Sequence, residues 1–422
     1  MQSDVLLLLS YFCSVSLIIL LMRSAYRQQY FSFHLLFSAI YFVTFFGGLP
    51  FSMVMKWYFD AILPSSKHLI LAELTALAGY LIYAFSYRLS GHLFKSGKRD
   101  QGVQFAKKSA NLTACLLALI ACGSLIYFIA VNGLLLFRLE KYSQIFSPLV
   151  NAVALKRFFY FFLPALLIYY FVSPSKKRWF YFIVMGVSFG AVSYVAVGGT
   201  RANLALAVIF FILIGVYHRY IALRWLMITG LVGVVAMFGL ALARYNLTLQ
   251  GKEIWFTFLY LTRDTFSPWE NLAKIFSFDV EYQGLMPIVR DFYVFIPQSL
   301  WAERPDIAWN TANYFTKILL GNQSGLAISP TLLGSFYLMG GMPFIVVGMA
   351  VAGGLIRAFD ELFRQGRSSA IIQAYCLGNL FNLIILVREG ADAFVSRFVF
   401  FSLIFTACWL VAKLIYIRKH KE

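Results

Sequence analysis

In the second half of this chain an arginine is followed directly by a carboxylate three times: Arg263-Asp264, Arg290-Asp291 and Arg388-Glu389. A fourth arginine, Arg201, follows the glycines of Val197-Gly198-Gly199-Thr200. These residue types suit one kind of chemistry. A guanidinium forks onto phosphate or carboxylate oxygens with two parallel hydrogen bonds, and a carboxylate within hydrogen-bond reach of a hydroxyl can take its proton. Neighbours on a helix point apart, so the arginine of each pair is available to an anion while the carboxylate faces elsewhere. The expected anion-binding residues are therefore Arg201, Arg263, Arg290 and Arg388, and the expected bases are Asp291, then Asp264 and Glu389. Asp291 comes first because Ile288, Val289, Phe292 and Tyr293 surround it in sequence and desolvate it. Arg157 and Tyr142, with Arg138, Lys141 and Lys156, are candidates to widen the same basic surface. Each group also has a plainer reading: headgroup snorkelling for Arg201, pairing between the two Arg-Asp copies, a solvated Arg388–Asp392 turn with an i,i+4 pair, and interfacial anchoring for the 138–157 cluster.

What is missing narrows the chemistry further. No His/Cys cluster has zinc spacing, no Asp-x-Asp pair occurs, and there is neither a Gly-x-Ser-x-Gly elbow nor a phosphate-binding P-loop. No metal and no cofactor is expected. Four histidines, His34, His92, His218 and His420, fall on the side opposite the arginine clusters, and only His68 lies near them. A base on the arginine side must then be a carboxylate, and positive charge must come from Arg, Lys or helix N-termini. Such a site suits a sugar leaving a lipid pyrophosphate, whose departure needs only positive charge.

The elements that position these residues are membrane helices. The chain has 422 residues, 61% of them hydrophobic and 13% charged, with a mean hydropathy of +0.75. This is an all-α polytopic membrane protein with about 11 spans, expected near 4–22, 34–55, 68–87, 109–131, 158–172, 179–197, 203–217, 225–243, 330–356, 370–387 and 398–417. No basic residue precedes the first, which is expected to remain as a span rather than act as a leader. Three stretches follow: an N-terminal bundle of about eight helices (1–243), a large helical outer loop (244–329) and about three closing helices (330–422). With the N-terminus outside, the inner segments hold nineteen Lys+Arg against four Asp+Glu, which places the charge clusters on the external or periplasmic face. The net charge of +18 reflects that bias, and its scatter over short turns argues against a nucleic-acid partner. All five cysteines lie within spans, so no disulfide framework is expected.

Within the outer loop, Ser267-Pro268-Trp269-Glu270 reads as a helix start with Ser267 as cap and Glu270 closing a capping box. Ser329-Pro330 marks another start, and Gly340-Gly341-Met342-Pro343 predicts a kink in the long span that follows. Ionisable groups inside spans mark transport paths. Here only Glu73 lies deep in one, which favours an enzyme over the alternative, a flippase or exporter of lipid-linked oligosaccharide.

Several runs carry a resemblance. Gly198 to Asn203, Phe258 to Leu272, Ile288 to Pro297, Asn310 to Phe315, Ser324 to Thr331 and Arg388-Glu389-Gly390, together with Tyr142 to Phe146 and Ala154 to Tyr160, closely resemble the enterobacterial common antigen polymerases. These form a family of Wzy-type lipid-linked oligosaccharide polymerases, and the likeness covers nearly the whole chain. It implies a helical fold similar to the metal-independent GT-C-type glycosyltransferases and to O-antigen ligases. It implies transfer of a growing glycan from undecaprenyl pyrophosphate onto an incoming lipid-linked trisaccharide that contains a uronic acid, on the periplasmic face of the bacterial inner membrane. It also implies a chain-length-regulating co-polymerase of the Wzz type as partner. Arg201 matches the arginine of the outer turn that polymerases and ligases share. The ligases also use an outer-face histidine, and this chain has none in the corresponding loop.

Overall fold

The computed structural model describes residues 2–93, 107–139, 150–245, 251–296, 300, 301, 303, 310–323 and 327–418. Among these the secondary structure is helical, with no strand. The helices are α1 (Gln2–Gln28), α2 (Phe33–Phe46), α3 (Leu49–Phe59), α4 (Ser66–Leu93), α5 (Lys107–Asn132), α6 (Lys156–Phe159), α7 (Phe162–Val172), α8 (Lys176–Ala196), α9 (Ala202–Tyr217) and α10 (Leu223–Tyr245). After them come α11 (Lys252–Phe266), α12 (Glu270–Phe276), α13 (Met286–Asp291), α14 (Thr311–Asn313), α15 (Thr331–Gln365), α16 (Ala370–Gly378), α17 (Leu380–Arg388) and α18 (Ala391–Arg418). Among the described residues, nine helical stretches are long and apolar enough to cross a bilayer: Asp4–Gln28, Phe33–Phe59, Ser66–His92, Lys107–Phe137, Val153–Val172, Lys176–Ala196, Thr331–Gln365, Ala370–Arg388 and Ala391–Ile417. The chain is a polytopic helical membrane protein. The expected span 203–217 is the 16-residue apolar helix α9, and the stretch 225–243 lies in α10.

Two compact units share the chain. One comprises residues 1–96, 248–361 and 382–398, and the other 97–247, 362–381 and 399–422. The units do not follow chain order, because residues 248–361 and 382–398 group with α1–α4. In the first unit, α1 and α4 are joined at Glu73, whose two carboxylate oxygens accept from Ser10 Oγ at 2.8 Å and Ser14 Oγ at 2.9 Å. A run of stacked and tilted rings, Phe37, Tyr41, Tyr80 and Tyr83, fills the space between α2 and α4. In the second unit, α8 meets α9 so closely at Gly190 that an added Cβ would lie 2.8 Å from Leu204 Cα. Small residues of this kind let membrane helices approach.

The predicted break in the long span is present. Gly340 (φ −168, ψ 31) and Gly341 (φ 69, ψ −156) are non-helical within α15. The conformation of Gly341 is one that only glycine adopts readily. A helix broken inside a membrane protein must find other partners for its freed carbonyls. Here the segment between α12 and α13 supplies them: Gln283 N donates to Leu338 O at 2.9 Å and Gly284 N to Met339 O at 2.8 Å.

Candidate active site

The corner between α11 and α12 shows how the first Arg-Asp pair is used. Ser267 does not cap α12. Its hydroxyl donates to Thr44 O at 2.8 Å, and Trp269, which occupies the cap position just before the helix, makes no side-chain cap. Nor does Glu270 close a capping box. Its Oε1 accepts from Arg263 Nη1 at 2.8 Å and from Ser52 Oγ. Trp269, 2% exposed, donates from Nε1 to the same Ser52 Oγ at 3.3 Å. A buried carboxylate gains more from a guanidinium and a hydroxyl than from one backbone amide, so the tertiary network wins over the local cap. Arg263 also lies over the Tyr260 ring, 5.2 Å from its centroid. Asp264, its neighbour, is exposed.

The second arginine-carboxylate turn is set by Gly390. With φ at 125 it interrupts the path from α17 to α18. A Cβ there would sit 2.6 Å from Ser335 Cβ, so the turn packs directly on the start of α15. Ser335 Oγ accepts from Ala391 N at 3.0 Å, and Ser329 Oγ donates to Arg388 O. Because the helix is broken, the expected i,i+4 pair of Arg388 with Asp392 does not form. Glu389 instead meets Arg397 Nη1 at 2.9 Å. Asp392, 1% exposed, accepts from Thr311 N at 2.7 Å and from Thr311 Oγ1 at 2.8 and 2.9 Å. The Arg388 guanidinium has no ion-pair partner among the described residues, and its Nε is buried without a hydrogen bond. A buried donor of this kind is suited to an anionic ligand.

A third fastening uses Asp291. It is 7% exposed. One carboxylate oxygen accepts from Asn310 Nδ2 at 2.8 Å and the other from Ser396 Oγ. Asn310 in turn caps α14, accepting from Asn313 N at 3.0 Å. Below this segment Phe315 packs with Ile275 and Leu338 in a small apolar core.

These walls enclose a cavity of about 520 Å³, lined by Asp264, Asn271, Asn310, Asn322, Ser329, Arg388, Glu389, Asp392 and Arg397, with Pro268, Ala312, Ala327, Ile328 and Ala393 between them. That volume falls within the roughly 300–1,000 Å³ of small-ligand sites. Three carboxylates and two guanidiniums line it, together with neutral amides. Among the described residues no group of three His, Cys, Asp or Glu could hold a metal ion.

A family model described as WzyE protein, O-antigen assembly polymerase, matches residues 2–421. The chain belongs to this family. No solved structure matches it.

The polymerase thus gathers some of the expected residues and leaves others apart. Asp264, Arg388 and Glu389 share the cavity. Arg263 and Asp291 stand behind its walls, each already bonded to protein groups, and the half-buried Arg290 on α13 does not line it. Arg201 and Arg157 belong to the other unit. Arg201 sits at the start of α9 after the predicted tight turn, in which Gly198 and Gly199 have φ of 75 and 105. Tyr142 lies outside the described residues. Sequence reasoning missed Asn271, Asn310 and Asn322, which carry no charge to draw notice, and gave Arg397 no role.

Proposed function

We propose that this cavity is the transfer site of a metal-independent glycosyltransferase that polymerises enterobacterial common antigen. The growing glycan leaves undecaprenyl pyrophosphate and joins an incoming lipid-linked trisaccharide on the periplasmic face of the inner membrane. The observation that carries the reading is a division of labour inside one cavity. Glu389 is matched with Arg397 and Asp392 with Thr311, while Asp264 and Arg388 face the cavity with no protein partner for their charges among the described residues. A displacement at an anomeric carbon needs both groups. The acceptor hydroxyl attacks, its proton passes to a carboxylate, the bond from the anomeric carbon to the phosphate oxygen breaks, and the pyrophosphate leaves with the electron pair. Asp264 is the first-ranked acceptor, ahead of Glu389 and of Asp291, whose oxygens are both committed. Arg388 meets the charge that develops on the pyrophosphate.

Arg290 is proposed to hold a further anionic group of the lipid-linked substrate, such as a uronic carboxylate; Arg201 and Arg157, in the other unit, are proposed as anion-binding residues of that unit. Arg263 acts mainly on Glu270. The charge bias that faces the arginine clusters outward supports the periplasmic placement, and a Wzz-type co-polymerase is the partner this reading brings with it. The test is purified protein with lipid-linked repeat units in EDTA. A ladder of products is expected. Unchanged substrate, or a ladder that appears only when magnesium or manganese is restored, refutes the reading.

A further inference from the structure

Asp392 and Asp291 are both buried, and among the described residues neither has a cationic partner. Buried carboxylates without a counter-ion are costly to keep, and these two share a target. Asp392 holds Thr311 by its backbone N–H and its hydroxyl. Asp291 holds the preceding residue, Asn310, and also binds Ser396. Asp392 and Ser396 are four residues apart on α18 and so share one face of its first turns. Three segments far apart in sequence, at 291, 310–311 and 392–396, are thereby drawn to one line. Residues on and next to that line are in the cavity wall: Asn310 and Ala312 at the 310–312 segment, Ala393 and Arg397 on α18.

We propose that Asp392 is a positioning residue. Acting through Thr311, and backed by the Asp291–Asn310–Ser396 bonds, it clasps the outer wall of the cavity to the first turn of α18 and so fixes the cavity's width. The clasp has a direction built into it. Thr311 offers two donors one residue from Asn310, so the segment is held at both its backbone and its side chain and cannot pivot about a single bond. Sub-ångström placement of reacting groups governs transfer rates, so loosening the clasp lowers turnover more than it weakens binding.

The proposal rests on the cavity being the transfer site for its kinetic consequence, but not for its structural one, and two measurements separate them. Spin labels placed at Ala312→Cys and Ala393→Cys, in a background with the five native cysteines replaced, report the wall-to-wall distance by pulsed dipolar spectroscopy. A narrow distribution is expected with Thr311 present, a broad one in Thr311→Val, and a narrow one again in Thr311→Ser, which keeps the hydroxyl. Without the labels, Thr311→Val is expected to lower kcat about tenfold with KM changed less than about threefold, and Thr311→Ser to restore it. Asp392→Asn is expected to behave as Thr311→Val; if it does not fold, the Thr311 pair still decides. A distribution equally narrow in Thr311→Val overturns the clasp. A broadened distribution in protein whose wild type makes no ladder leaves the clasp standing and refutes the transfer site instead. Normal kcat in Thr311→Val despite broadening overturns the positioning role.

Discussion

Arg388 and Arg263 are the same residue type near the same cavity, and replacing each with alanine separates structure from chemistry. Arg263 is 12% exposed at its side chain, and its partner Glu270 is 5% exposed. Removing the guanidinium leaves a buried carboxylate with only the Ser52 hydroxyl and no counter-ion. Breaking one side of a buried pair costs about 3–5 kcal/mol; the retained hydroxyl bond and the partial exposure of Arg263 put the loss near the lower end, about 3 kcal/mol. Arg263→Ala is therefore expected to melt several degrees lower in detergent and to express poorly, with per-molecule turnover falling only as folded protein falls. Arg388 has no such partner to abandon. Its Nε is a buried donor with no hydrogen bond among the described residues, so Arg388→Ala removes an unsatisfied group and should melt at or above the wild-type temperature. Its turnover should fall about 10²–10³-fold, the loss typical when one preorganised donor to a developing anion is removed. Arg388→Lys should recover little, because an ammonium lacks the planar fork. Melting curves by scattering or intrinsic fluorescence, beside initial rates of ladder formation at matched protein, read both effects. If Arg388→Ala melts low while Arg263→Ala melts normally, the assignment of the two arginines is reversed; if Arg388→Ala turns over normally, no anion depends on it.

Asp264→Asn is expected to cut turnover by about 10²–10⁴-fold while binding of the lipid-linked repeat is kept; normal turnover, read from the same ladder, moves the base to Glu389. Gly390→Ala should destabilise the protein by about 2 kcal/mol or more, since alanine is strained at positive φ and its Cβ meets Ser335; a melting curve like wild type would show that the turn can relax. Single cysteines at Gln283 and Asn322 should react with an impermeant maleimide in intact spheroplasts, and labelling only after permeabilisation would turn the protein over in the membrane.

The helices were legible because apolar runs of bilayer length are a local signal, and so was the break at Gly340-Gly341, where two glycines and Pro343 stand together. Asp264, Arg388 and Glu389 were legible as charges that a membrane-side loop would not carry idly. The misreadings share one cause. Ser267 and Glu270 have the spacing of a capping box, yet Glu270 is taken by Ser52, 218 residues earlier, and no periodicity reports such a partner. Arg388 and Asp392 have the spacing of a helical ion pair, but Gly390 breaks the helix between them and Asp392 finds Thr311, 81 residues away. Asp291 is buried, as its apolar neighbours in sequence suggest, but the partners of its oxygens, Asn310 and Ser396, are 19 and 105 residues away and beyond any local reading. Spacing rules hold for groups with no better offer elsewhere, and buried charges in a membrane protein nearly always receive one.

The segment at 281–284 has a bearing on how this protein can be cut and recombined. Its amides complete a membrane helix about 11–12 Å in from that helix's start, at 1.5 Å per residue, by bonding to Leu338 and Met339. The segment is thus not an appendage that can be exchanged between homologues as a cassette. A chimera that transplants this loop without α15 puts at risk the two bonds that serve the Leu338 and Met339 carbonyls at the break. Recombination breakpoints that keep 281–284 and 338–341 on the same parental sequence should yield folded hybrids, and those that part them should not.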